Sequence, residues 1–224
     1  MEREIEKNIT LILNNMKKIV TNPVGFFQSM PKSGGFVEPI IFMVSMGVVA
    51  GIIQAVLGIV GLYFATSFFG ALSFIIIVPI LVTIFGFVGA AILFVIWKIM
   101  GSQQSFETAY RCGAYAGGIV PITTALSIIP LFGSLLGLVW MTYLLVVAST
   151  EVHNIKPKTA WIVFGVICAL FALTTIGSQF AARRATNEMS KWGEKMEGFE
   201  EMTPEEAGRA MGEFLKGMEK GAGK

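Results

Sequence analysis

Charge is what this sequence has least of: only 14% of its 224 residues are Asp, Glu, Lys or Arg, and the net charge is +2. Soluble domains carry about 25%. No ionisable side chain occurs between Ile40 and Trp97, between Cys112 and Thr150, or between Thr159 and Ala182, so water is not the solvent for most of this chain. Lys and Arg form no block that could track phosphates, which argues against a nucleic-acid partner. Histidine occurs once, as His153, with no second His or Cys at ligand spacing, so an interfacial polar residue is expected there and no metal site. The two cysteines, Cys112 and Cys168, lack Cys-x-x-Cys spacing and read as small buried apolar residues rather than a redox pair. Gly34-Gly35 is without the strand and the Lys-Ser/Thr of a phosphate-cradling loop. With no nucleophile–base pair either, the chain is expected to be no enzyme and to carry no cofactor.

What is abundant is apolar sequence: 54% of the residues are hydrophobic and the mean hydropathy is +0.70. One helix needs about 20 apolar residues to cross a bilayer. The first two charge-free stretches are each long enough for two crossings and the third for one, which predicts an all-α, polytopic transmembrane bundle of five spans. They are read as Ile40–Phe64, Phe74–Ile99, Thr108–Ile129, Phe132–Thr150 and Thr159–Ala182. Pro39 stands in the first turn of span one, Pro79 should kink span two, and Pro121 interrupts span three. Trp97-Lys98 should anchor the end of span two at the interface. Pro130 leaves almost no link between spans three and four, which should form a tight hairpin. Glycine pairs at helix-packing spacing, Gly47/Gly51, Gly113/Gly117, Gly133/Gly137 and Gly86/Gly89, are read as close helix contacts within the bundle.

The ends differ from the middle. Ile5, Ile9, Ile12, Met16 and Ile19 recur at helical intervals among Glu, Lys and Asn, so residues 4–20 read as an amphipathic helix, closed at Asn22-Pro23. The aromatic, turn-rich run that follows suits the headgroup layer. Residues 1–38 are therefore read as an interfacial segment, 39–182 as the membrane domain and 183–224 as a soluble tail. Charges spread through residues 1–20 argue against a cleavable signal. In the tail, Met189, Trp192, Met196 and Phe199 predict one helix. Thr203-Pro204-Glu205-Glu206 predicts the capped start of a second, carrying Met211, Leu215 and Met218.

Five spans put Arg3, Lys7, Lys17, Lys18, Lys32, Lys98, Arg111, Lys156 and Lys158 on one face and no Lys or Arg on the opposite links. The bias of such residues toward the cytoplasm predicts an N-terminus inside. Arg183, Arg184, Lys191 and Lys195 oppose this, and an even number of spans would remove the conflict. On the cytoplasmic face gather the ionisable groups nearest the hydrocarbon: Glu38, Glu107, Arg111, Glu151 and His153. Charges so close to lipid are functional candidates, with simple snorkelling as the alternative. Glu107 and Arg111, four apart, should pair along one helix. Glu38 is expected to meet Arg111 from span one, because a guanidinium one turn deeper than Glu107 needs partners and has five donors.

Asn22-Pro23-x-x-Phe26-Phe27-x-x-Met30-Pro31, Glu38-Pro39, and Tyr110-Arg111-x-Gly113-x-Tyr115-x5-Pro121 together resemble the Yip domain family, the Ypt/Rab-interacting five-span membrane proteins. Leu138-Val139-Trp140-x-x-Tyr143-Leu144 followed by Glu151-Val152-His153 adds to the resemblance, which covers about residues 20–180. Its motif positions fall on Glu38, Pro39, Gly113, Tyr115 and Pro121. The resemblance implies five spans with a cytoplasmic N-terminus, and for eukaryotic members contact with Rab-type GTPases and roles in vesicle transport and membrane shaping. This chain lacks the longer Asp-Leu-Tyr-Gly-Pro run, a long acidic N-terminal arm and a prenyl-accepting C-terminal Cys. Its short loops and compact size give it a prokaryotic cast, and the departures weaken the case for Rab binding without deciding it. The expectation is a non-catalytic membrane scaffold or organiser of the prokaryotic cytoplasmic membrane. Its partners would be the lipid bilayer, proteins at the cytoplasmic face and a second copy in a homo-oligomer. The alternative is a small transporter or channel whose polar site faces the cytoplasm, with helices broken at Pro79 and Pro121.

Overall fold

The computed structural model describes residues 2–62, 67–129, 131–200 and 212. Among them every element is helical: α1 (Glu2–Thr21), α2 (Pro23–Ser29), α3 (Val37–Ile59), α4 (Phe68–Ile99), α5 (Phe106–Ala116), a 3-10 turn (Gly117–Ile119), α6 (Val120–Leu126), α7 (Phe132–Glu151) and α8 (Pro157–Glu200). The chain forms two compact units, Met1–Thr175 and Ile176–Lys224. In the second unit the backbone of α8 stays helical to Glu200. The capped helix expected from Thr203 onward lies outside the described residues.

Four helices are long and apolar enough to cross a membrane: Val37–Ile59, Phe68–Ile99, Phe132–Glu151 and Pro157–Thr186. The third predicted span, Thr108–Ile129, is not one continuous helix. It divides into α5 and α6 around the 3-10 turn. The physical cause is local: Gly117-Gly118 lowers helix propensity, and Pro121, with no N–H to give, sits in the first turn of α6 instead of inside a longer helix. Lengthwise the broken segment still follows α3. Arg111 on α5 reaches Glu38 at the start of α3, and Thr123 on α6 lines a pocket with Gln54 near the end of α3.

The helix ends carry recognisable stops. Asn22 closes α1 and opens α2, accepting from the Gly25 N–H at 3.1 Å with Pro23 in the first turn. The same signal turns part of the expected aromatic, turn-rich stretch into α2, which buries Phe26 and Phe27. Ser67 caps α4 at the Gly70 N–H, 3.2 Å away, so α4 starts six residues before the predicted Phe74. Ser105 does the same for α5 at the Thr108 N–H, 3.3 Å away.

Two of the four glycine pairs make the predicted close contacts. A Cβ on Gly47 would stand 2.8 Å from Pro79 Cα, and Gly51 faces the Phe74 carbonyl, so α3 and α4 pack almost backbone to backbone. Gly133 lies against the Leu126 carbonyl, and Gly137 would meet Thr123 Cγ2 at 2.9 Å, which closes the α6–α7 hairpin. Gly86 also makes a close approach, to the Met43 sulfur, and Ala90 one turn further on is buried in the same cluster as Met43, whereas Gly117 and Gly89 meet nothing within 4 Å and Gly113 meets only Leu93 at ordinary distance. The Gly113/Gly117 spacing thus reflects composition, not contact.

The main core lies where α1 and α2 dock against the ends of α4, α5 and α7: Ile19, Phe27, Trp97, Tyr115, Leu144 and Val152 are buried together. Of the predicted stripe on α1, Ile12, Met16 and Ile19 pack on this core, whereas Ile9 is exposed. The C-terminal half of α1 is thus held by protein. Trp97 is also no interfacial anchor, because its ring is buried and stacked 4.0 Å from that of His153. The exposed large apolar side chains lie mostly along α3, α4, α7 and α8, as expected where lipid is the solvent.

A buried arginine clamps the loop before the first long helix

Between α2 and α3 the chain passes Pro31–Phe36 without regular structure, and Gly34 and Gly35 adopt φ of 129° and 83°. Those values favour glycine and turn the Gly35 peptide groups away from any helical ladder. Both then need partners, and α5 supplies them. Arg111 Nη1 donates to the Gly35 carbonyl at 2.7 Å, while Glu107 Oε1 accepts from the Gly35 N–H at 2.7 Å. Thr108 Oγ1 donates to the Lys32 carbonyl at 2.9 Å. Three side chains of α5, Glu107, Thr108 and Arg111, therefore grip one loop.

Arg111 completes the site with its second terminal nitrogen: Nη2 donates to Glu38 Oε2 at 2.7 Å. Exposure is lopsided, with Arg111 at 1% and Glu38 at 61%. The arginine is thus a buried charge whose counter-charge reaches outward from the first turn of α3. Glu107 does not take the role expected of it. The i,i+4 spacing allows a Glu107–Arg111 pair, but Glu107 spends its carboxylate on the Gly35 amide, and Arg111 turns to Gly35 and Glu38. Among the described residues Arg111 Nε and the neighbouring Tyr110 hydroxyl have no hydrogen-bond partner.

Beside Glu38 lies an open pocket of about 300 Å³, walled by α1 through Leu11, Ile12 and Asn15 and by Ile41, Phe42 and Tyr115. The rings of Tyr115 and Phe42 in its lining have centroids 5.1 Å apart, and Phe26 packs edge-on against Tyr115. Of the other motif positions, Pro39 and Pro121 are buried at helix starts and Gly113 lies toward Leu93.

The remaining two candidates bond elsewhere. Glu151 Oε2 accepts from Gln28 Nε2 at 2.8 Å, tying the end of α7 to α2. His153 was expected at the interface, yet it is buried: Nδ1 lies 2.7 Å from Ser102 Oγ and its ring stacks on Trp97, whose Nε1 donates to Ser149 Oγ at 2.7 Å. Burial lowers its pKa to about 4, with the charges of Lys32 and Lys98 adding to the effect. This ring is neutral at pH 7 and joins the α4–α5 link to the α7–α8 link. The five candidates thus fall into one trio, Glu38, Glu107 and Arg111, and two separate structural ties. Sequence reasoning overlooked Gly35, Thr108, Ser102, Ser149 and Gln28. Only Gly34-Gly35 carried a legible signal, as a loop whose backbone would need side-chain partners.

No group of three or more His, Cys, Asp or Glu able to hold a metal occurs among the described residues. The family model that matches this chain is the Yip1 domain, over residues 17–178. No curated protein and no solved structure matches it.

Proposed function

The chain belongs to the Yip1 domain family, and from that premise we propose that it is a non-catalytic scaffold of a prokaryotic cytoplasmic membrane, presenting a fixed shelf of residues 1–38 to protein partners and lipid. It is a multi-pass membrane protein by family and by its four long apolar helices. In this reading the broken segment α5–α6 is a fifth crossing, since it runs beside α3 from Glu38 to Gln54. The N-terminus then faces the cytoplasm, in keeping with the Lys and Arg bias.

The observation that carries the reading is the clamp. The polar groups nearest the membrane hold Gly35, Lys32 and Glu38 in place, work that fixes a surface. The transporter alternative draws on the pocket beside Glu38. Its lining is mostly apolar, however, and Phe42 and Tyr115 belong to the buried core together with Met46 and Ile119. Photo-crosslinkers at Asn15 and Lys32 in intact cells test the proposal. Protein adducts from both positions, lost on Arg111→Gln while the variant stays inserted, are expected. Solute flux into proteoliposomes that Glu38→Gln abolishes would establish the transporter reading instead.

A further inference from the structure

A second pocket, of about 380 Å³, opens at the other end of the bundle. Gln54 lies 16 residues beyond Glu38 on α3, about 24 Å at 1.5 Å per residue. Ser134 stands at the opposite end of α7 from Glu151. The residues lining this pocket include Gln54, Thr123, Thr124, Ser127, Ser134, Phe171 and Thr175. The size is that of a small-molecule site.

The chemistry of the wall is unusual for so apolar a chain. Thr123 and Ser127 donate their hydroxyls back to the Val120 and Thr124 carbonyls at 3.0 and 2.6 Å, which leaves their oxygens facing the space as acceptors only. Gln54, Thr124 and Ser134 make no side-chain hydrogen bond among the described residues. Together they offer a primary amide and two hydroxyls, each able to donate and accept. Gly133 and Gly137 bring α7 so close to α6 that these groups converge on one space. Among the described residues no charged side chain lines it, so a charged ligand would find no counter-charge there.

We infer that this pocket binds a neutral polyhydroxyl group, such as the glycosyl headgroup of a membrane lipid or a free sugar. Ligand hydroxyls would pair with Gln54, Thr124 and Ser134, and one face of the ring would lie on Phe171. The inference is independent of the scaffold reading, which rests on the other end of the molecule.

The full chain, purified in a polyoxyethylene detergent that carries no sugar, is mixed with equal amounts of monoglucosyl diacylglycerol, diacylglycerol and phosphatidylethanolamine. Retained lipid is measured by native mass spectrometry. Preferential retention of the glucosyl lipid is expected, reduced about tenfold by Gln54→Leu with Ser134→Ala, since each lost hydrogen bond is worth about a factor of two to ten. Thr124→Val, nearly isosteric, guards against a folding defect and should weaken retention severalfold with an unchanged melting midpoint. Free glucose added in excess separates the two sources. Displacement of the lipid at millimolar glucose marks the sugar itself as sufficient, and no displacement makes the anchored headgroup the ligand. Equal retention of all three lipids together with no melting shift by glucose, or retention that neither variant changes, would overturn the inference.

Discussion

Substituting Glu38 by Gln keeps the length of the side chain and an acceptor oxygen but removes the counter-charge of Arg111. An exposed ion pair is worth about 0–1 kcal/mol, and breaking a fully buried one costs about 3–5 kcal/mol. Here the arginine is buried and the carboxylate mostly solvated, so Glu38→Gln should cost about 1–2 kcal/mol. Arg111→Gln also forfeits the charged hydrogen bond to the Gly35 carbonyl, worth about 1.5–3 kcal/mol. The Glu38 it leaves behind is hydrated, so the expected total is about 3 kcal/mol. Both losses share the Nη2–Oε2 contact, and the double variant should therefore fall short of additivity by about 1 kcal/mol. Unfolding by SDS in mixed micelles gives the four free energies. A parallel cycle of Arg111→Gln with Glu107→Gln should show weaker coupling, because Glu107 bonds Gly35 and not the guanidinium. Glu38 and Arg111 effects that add within about 0.3–0.5 kcal/mol would refute the account of the clamp.

Gly47→Ala should destabilise by about 1–3 kcal/mol, since the new methyl would press on Pro79 Cα, whereas Gly89→Ala, with open space around it, should be neutral or slightly stabilising in the same assay. His153 binds its proton less readily when folded, to about pH 4 against 6.5 for the free side chain. Between those values the unfolded state holds more protons, so its contribution is complete above about pH 6.5 and disappears as pH falls toward 4, amounting to about 3 kcal/mol. His153→Phe should remove that slope from the pH profile of unfolding, and an unchanged slope would assign it to carboxylates instead. In a chain with Cys112→Ala and Cys168→Ala, single cysteines at Ser67 and Ser134 should react with an impermeant thiol reagent from outside intact cells, and one at Lys32 should not. Labelling at Lys32 alone reverses the orientation, and a cysteine at Lys216 separates five crossings from an even number.

The division between sequence and fold follows from what kind of physics acts at each level. Solvent preference is local and additive, so charge-free runs such as Ile40–Trp97 marked the membrane segments without any structure, and Phe132–Glu151 matched its predicted span within a residue. Caps and prolines are local too, and Asn22-Pro23 marked the junction of α1 and α2. Where a side chain has a choice of partners, sequence spacing alone decides nothing. The i,i+4 rule offered Glu107 to Arg111, but two backbone groups orphaned by the positive φ of Gly34 and Gly35 took both residues. His153 and Trp97 looked like interfacial residues by their position at helix ends. The docking of α1 and α2 over those ends covered them, and only then did Ser102, Ser149 and the stacked rings become one buried unit. Likewise the four glycine spacings were equivalent as sequence, yet Gly47/Gly51 and Gly133/Gly137 meet a neighbouring backbone, Gly86 meets only the Met43 side chain, and Gly113/Gly117 makes no close contact. The sequence by itself determined the solvent, the all-helical class and a few helix ends, such as Asn22-Pro23, Ile99 and Phe132, but not the split of the third predicted span into α5 and α6 or the helix α2. Partner choice, and with it the clamp and both pockets, was decided by tertiary structure, because it depends on groups far apart in the chain competing for the same atoms.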